Sequence, residues 1–161
     1  VQKALLINPQ KCTGCRTCEL ICSLEHDGEF NPSLSRVTMV NFPEEILTIP
    51  VTCLHCQEPV CKEVCPSGAI EKDDKTGAIL INDEECIGCN MCLMVCPIGA
   101  ISTVSHKTLA SHAKCDLCGG EPECVEFCPG GALEFGRTDE LLLDRKKKVA
   151  KSLRNLIEEA I

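Results

Sequence analysis

The chemistry this sequence offers is thiol chemistry: 16 of its 161 residues are cysteine, and they fall in four bursts of four. The first is Cys12, Cys15, Cys18 and Cys22, and the second is Cys53, Cys56, Cys61 and Cys65. The third is Cys86, Cys89, Cys92 and Cys96, and the fourth is Cys115, Cys118, Cys124 and Cys128. The third reads C-x2-C-x2-C-x3-C-P, the run with which thiolates wrap cubane iron–sulfur clusters. The first matches it except that Ser23 stands where proline would. No cysteine is left over, so the pattern predicts four [4Fe–4S] clusters and a protein that carries electrons.

Two other uses of cysteine fit less well. A disulfide scaffold suits a dense, even count in an exported protein, but cysteines two residues apart in a turn are poor mutual partners and no secretory signal opens the sequence. Zinc is the nearer rival, because C-x2-C pairs such as Cys53/Cys56 and Cys115/Cys118 also suit a tetrahedral ion. Zinc sites join two such pairs across a longer loop. Here each burst closes within 11 to 14 residues and ends in C-x3-C. A zinc-loaded interaction module is therefore the weakest of the functional classes.

The elements that must position the thiols repeat along the sequence. After the last cysteine of bursts two, three and four come Pro66-Ser-Gly-Ala-Ile70, Pro97-Ile-Gly-Ala-Ile101 and Pro129-Gly-Gly-Ala-Leu133. Proline turns the backbone away, glycine allows positive φ or close approach, and the aliphatic residue starts a short strand. In such runs three cysteines hold one cluster and the fourth serves its neighbour. Lys75-Thr-Gly77, between Ala69–Glu71 and Ala78–Ile81, predicts a hairpin. A second pair of strand-like runs, Arg36–Val40 and Ile46–Val51, lies in the stretch that follows burst one. Residues 139–160 read as a helix capped by Thr138 or Asp139. Leu142, Val149, Leu153, Leu156 and Ala160 mark its apolar face, opposite the basic stretch Arg145–Lys148. That face is expected to pack on the protein's own core, with docking to a partner as the alternative.

The four bursts in this order, with internal spacings of 2-2-3, 2-4-3, 2-2-3 and 2-5-3, resemble the four-cluster ferredoxin-type electron-transfer subunits that accompany molybdopterin and tungstopterin oxidoreductases. The resemblance covers about residues 1 to 136. It implies an α+β fold of nested bacterial ferredoxin-like units, each holding two [4Fe–4S] clusters, with short strands and helices around them and a C-terminal helix. It divides the sequence into an outer unit (1–23 and 105–138), an inserted strand region (24–52), an inner unit (53–104) and the helix (139–161). It also implies the ligand sets. Cys12, Cys15 and Cys18 would share a cluster with Cys128, and Cys115, Cys118 and Cys124 with Cys22. Cys53, Cys56 and Cys61 would take Cys96, and Cys86, Cys89 and Cys92 would take Cys65. All sixteen positions are cysteine, which leaves no basis for a [3Fe–4S] site.

The opening Lys11-Cys-Thr-Gly-Cys-Arg-Thr-Cys-Glu-Leu-Ile-Cys-Ser-Leu-Glu-His26, with Gly28-Glu-Phe-Asn-Pro32 and Ser35-Arg-Val37, looks most like the small subunits of tungsten enzymes of the aldehyde:ferredoxin oxidoreductase family. That resemblance implies a hetero-oligomer in which a larger catalytic subunit passes electrons through this protein to or from a flavin subunit or a ferredoxin. Partners of carbon monoxide dehydrogenase, hydrogenase or formate dehydrogenase type, or a free polyferredoxin, are the alternatives.

Other features limit the classes further. There is no G-x-G-x-x-G after a strand and no G-x4-G-K-[ST], and with every thiol committed no nucleophile remains, so the protein is expected to be non-catalytic. His26, His55, His106 and His112 are scattered without ligand spacing. Arg16, His55 and Lys114 adjoin cysteines but are expected to be solvated loop residues. The net charge of −8 disfavours nucleic acid and favours basic docking surfaces. No apolar run approaches the ~20 residues of a membrane helix, and no signal pattern precedes the first strand, which predicts a cytoplasmic, reducing setting. With four Phe and no Trp or Tyr, the clusters are expected to stand in for much of the core.

Overall fold

A computed structural model describes residues 3–103 and 112–159. Among them are five α-helices and four antiparallel strand pairs, an α+β arrangement of small elements. Strand β1 (Lys3–Ile7) pairs with β8 (Leu133–Arg137), which joins the two ends of the cysteine-bearing region. The other pairs are local: β2 (Thr38–Phe42) with β3 (Leu47–Val51), β4 (Ile70–Lys72) with β5 (Ile79–Ile81), and β6 (Ser102–Thr103) with β7 (His112–Ala113).

Each burst builds a helix whose second residue is its third cysteine. These are α1 (Thr17–Asp27), α2 (Val60–Glu63), α3 (Met91–Val95) and α4 (Glu123–Glu126). The spacing before that cysteine sets how the helix is entered. The two C-x2-C-x2-C bursts enter through a left-handed residue, Arg16 (φ 61°) or Asn90 (φ 63°). The longer bursts enter through an extended proline, Pro59 or Pro122. Helices α2, α3 and α4 stop ahead of Pro66, Pro97 and Pro129, because the residue before a proline disfavours the helical region. Burst one has Ser23 instead, and α1 runs on to Gly28, whose positive φ of 73° closes it with an N–H···O bond to Leu24.

The Cys-Pro-x-Gly repeat forms a turn each time. Gly68, Gly99 and Gly131 donate to the carbonyls of Cys65, Cys96 and Cys128 at 3.3, 3.2 and 3.1 Å, and each glycine has positive φ. Gly130 serves a different need. A Cβ there would lie 2.5 Å from the Lys11 carbonyl oxygen, where the loop after burst four crosses the start of burst one. Gly130→Ala is therefore expected to cost about 1–3 kcal/mol, the usual range for overpacking, read as a lowered thermal midpoint of the metal-loaded protein.

The core is small and partly sulfur. One cluster joins Cys18, Cys22, Val37, Met39, Cys124 and Leu133, and another joins Ile70, Ile79, Cys92 and Ile101. A third, Ala78, Cys115 and Leu117, touches Leu5, Cys53 and Phe135. The strand region after burst one is locked to α1 by buried polar bonds. Arg36 pairs with the fully buried Asp27 at 3.0 Å, and Glu19 accepts the Met39 N–H at 2.7 Å.

Helix α5 (Thr138–Glu159) packs chiefly on β8 and β1. Leu141 packs over Gly136, and Lys148 reaches Glu134 at 3.5 Å. The apolar face expected from periodicity does not pack on the core: Leu142, Val149 and Leu153 are exposed. Leu156, as a side chain, and Ala160 lie outside the described residues. The β1–β8 ladder is five residue pairs long, and the residues of the 22-residue helix that meet it are Leu141, Arg145 and Lys148. Among the described residues no helix is long and apolar enough to cross a membrane.

Candidate metal centres

The four helices bring the cysteines together in fours. Cys12, Cys15, Cys18 and Cys128 line a cleft of about 320 Å³. Cys65, Cys86, Cys89 and Cys92 line one of about 310 Å³, and Cys53, Cys56, Cys61 and Cys96 one of about 510 Å³. Cys115, Cys118, Cys124 and Cys22 are the remaining four, and Cys124 feels the charges of the other three and of Cys18. In each of the three clefts three cysteines come from one burst and the fourth from another. On α1 the reason is plain: at 1.5 Å per residue, Cys22 sits about 6 Å farther along the axis than Cys18, so the two thiols serve different groups.

The donor sets fit iron–sulfur clusters. Four cysteine sulfurs, each set drawn from two bursts, converge on each of the three clefts. A single zinc ion would draw four sulfurs in to about 2.3 Å and close such a space. In these three clefts thiolates without carboxylates among the lining residues select thiophilic centres, while beside Cys118 of the remaining set stand Asp116 and His26.

Backbone and hydroxyl donors converge on the sulfurs. Ala100 and Ala132 donate N–H to Cys96 and Cys128 Sγ at 3.3 and 3.2 Å, each bond closing the Cys-Pro-x-Gly turn. Cys22, which has no proline turn, receives the Arg36 N–H at 3.3 Å instead, so the inserted strand region supplies the donor that burst one lacks. His55 N–H reaches Cys53 Sγ at 3.4 Å, and the Thr17 hydroxyl reaches Cys15 Sγ at 3.3 Å. The Thr17 bond lowers the Cys15 thiol below its ordinary value.

The buried thiols go the other way. Desolvation, then the neighbouring Glu19, pushes Cys18 up to about 12, and desolvation pushes Cys115 up to about 11. Cys124 is raised by burial and by the surrounding cysteine charges. Without a metal these groups stay protonated, so metal uptake must displace protons.

Two expectations about neighbouring side chains are corrected. His55 and Lys114 are 3% and 4% exposed rather than solvated. They lie where the loops of bursts two and four meet β5, and burial there follows from the wrapping of loops rather than from hydropathy. Arg16 is half-exposed and pairs with Glu19 at 2.6 Å. His26, unremarkable by spacing, contacts Asp116 at 3.0 Å and donates to the Cys22 carbonyl at 2.8 Å. Asp116, then the Cys118 and Cys22 thiols, raise its imidazole well above the ordinary range. The signal available in sequence was its place one helical turn after Cys22. His112 is buried, its Nε2 2.8 Å from Asn90 Oδ1; His106 lies outside the described residues.

Comparisons with known proteins find 4Fe–4S domains in this sequence. Residues 44–138 match the 4Fe–4S dicluster domain model, and residues 9–25 a 4Fe–4S binding domain. A relative in Pyrococcus furiosus, the aliphatic sulfonate oxidoreductase polyferredoxin-like subunit, is 44% identical over 77% of this sequence and 70% of its own. The B subunit of the anaerobic dimethyl sulfoxide reductase of Escherichia coli is 37% identical over 91% of this sequence and 77% of its own. The putative oxidoreductase AegA of Escherichia coli is 35% identical over 84% of this sequence, which spans only 22% of that protein.

Proposed function

The protein belongs to the 4Fe–4S dicluster domain family, and from that premise we propose that it is an electron-relay subunit holding four [4Fe–4S] clusters. The ligand sets are Cys12, Cys15, Cys18 with Cys128; Cys115, Cys118, Cys124 with Cys22; Cys53, Cys56, Cys61 with Cys96; and Cys86, Cys89, Cys92 with Cys65. The observation that carries this reading is the meeting of three cysteines from one burst with one from another in three clefts, which leaves Cys115, Cys118, Cys124 and Cys22 as the fourth set. Such sharing ties the clusters in pairs, the first two sets in an outer unit and the last two in an inner one. The β1–β8 ladder supports this division, since it links the first burst to the last.

A bound cluster of this type supplies one-electron storage without bond making at a substrate. The protein's own residues do the rest. Thiolates hold the centre, and the N–H groups of Ala100, Ala132, Arg36 and His55 stabilise charge on sulfur, which favours the reduced state. The second cysteine of bursts one to three, Cys15, Cys56 and Cys89, is exposed, so electrons can enter or leave at the surface while the third cysteines stay farther inside.

The two relatives named as subunits of larger oxidoreductases support a hetero-oligomer in which catalysis belongs to another polypeptide. Within that class the burst-one motif favours a tungsten pterin enzyme of the aldehyde oxidoreductase type, in a reducing cytoplasm, with a flavin subunit or ferredoxin as the second partner. Anaerobic isolation of the native complex with metal analysis tests this. Co-purifying tungsten is the expected result. Molybdenum would point to a formate or oxyanion enzyme, nickel to hydrogenase or carbon monoxide dehydrogenase. Iron alone, with no large partner, would identify a free polyferredoxin.

A further inference from the structure

Lys114 is a buried lysine, 4% exposed, whose side chain reaches into the protein rather than to solvent. Its Nζ donates to the carbonyl of Ile79 and, at 3.0 Å, to that of Cys115. Among the described residues no carboxylate lies within ion-pair distance of it. Taking an ammonium out of water for two carbonyls alone is costly, so nearby negative charge must offset it. With clusters bound, the available negative charge is that of the cysteine-held centres. Cys115 is the adjacent residue, and Ile79, whose carbonyl accepts from Lys114, lines the Cys53/Cys56/Cys61/Cys96 cleft. The same Ile79 peptide is held from its other side by His55, whose Nδ1 accepts the Ile79 N–H at 3.0 Å.

We propose that Lys114 is a potential-setting residue at the junction of the two units, stabilising the added electron at both the Cys53/Cys56/Cys61/Cys96 site and the Cys115/Cys118/Cys124/Cys22 site. The proposal rests on the ligand sets assigned above. Reduction adds one negative charge to a centre and breaks no bond. A fixed positive charge in a low-dielectric interior favours the more negative state of whatever lies beside it. Both of these centres are thereby made easier to reduce. The other two clefts are lined by neither Ile79 nor Cys115, and their centres are expected to be left nearly unchanged.

The test compares Lys114→Met, Lys114→Gln and Lys114→Arg in the intact, cluster-loaded protein. Iron content is measured first, and each centre's midpoint is then followed by electron paramagnetic resonance in a mediated anaerobic titration. The neutral variants are expected to shift the reduction equilibrium of two centres about tenfold towards the oxidised form, about 59 mV for a one-electron couple. Arginine should restore it. Full iron with unmoved midpoints in Lys114→Met or Lys114→Gln overturns the proposal. Loss of iron from both neutral variants also overturns it, by giving Lys114 a structural role. Wild-type protein without iron would fail the cluster assignment itself, and the proposal with it.

Discussion

Replacing Cys22 by serine is expected to remove the centre assigned to Cys115, Cys118 and Cys124 while leaving the one assigned to Cys12, Cys15 and Cys18, its own burst, in place. Cys22 lies one helical turn beyond Cys18. Its sulfur takes the Arg36 N–H, and His26, which contacts Asp116 between Cys115 and Cys118, stands 3.9 Å from it. Its charge bears on both Cys115 and Cys124. Iron should fall by about four per polypeptide of roughly sixteen, with one signal lost from the spectrum of the reduced protein. Cys128→Ser should do the converse and empty the burst-one site. Loss of the burst-one signal in the Cys22→Ser protein would refute the swapped arrangement.

Stripping the iron is expected to abolish cooperative folding. Of the buried apolar residues, Cys18, Cys22, Cys92, Cys115 and Cys124 are themselves members of the core clusters. The strand pairs they adjoin are two to five residues long, and two-stranded hairpins are marginal in water by themselves. Once the clefts are emptied, desolvated thiols and large voids replace covalent cross-links between bursts far apart in sequence. Amide hydrogen exchange after oxidative iron removal should show protection lost at β1–β8 and β4–β5 together. A cooperative thermal transition at an unchanged midpoint would show that the polypeptide folds without its metal.

The parts of this fold legible in the sequence are those with local causes. The 70–72/79–81 hairpin follows from the Asp73–Gly77 turn, where Asp73 accepts the Thr76 N–H at 2.9 Å. The Cys-Pro-x-Gly repeat announces its turn, and the 38–42/47–51 pair is visible as two strand-like runs about Pro43. What escaped is set by contacts remote in sequence. Nothing local marks Lys114 as buried, since its acceptor Ile79 is 35 residues away. The donor to Cys22 comes from Arg36, beyond the helix, and the buried Asp27 carboxylate is paired by the same residue at 3.0 Å. Periodicity placed an apolar stripe on α5 at Leu142, Val149 and Leu153. Contact is made instead by Leu141, Arg145 and Lys148, which line a cleft with Leu6, Ile7 and Glu134. A helical period identifies which residues share a face but not which face a short two-stranded ladder can reach.

The most direct measurement is an anaerobic reductive titration of the purified, cluster-loaded protein with iron and acid-labile sulfide determined on the same sample. Four clusters predict about sixteen iron, about sixteen sulfide and about four electrons accepted per polypeptide. Zinc in place of iron, or a protein that takes up no electrons at full iron content, would contradict the relay.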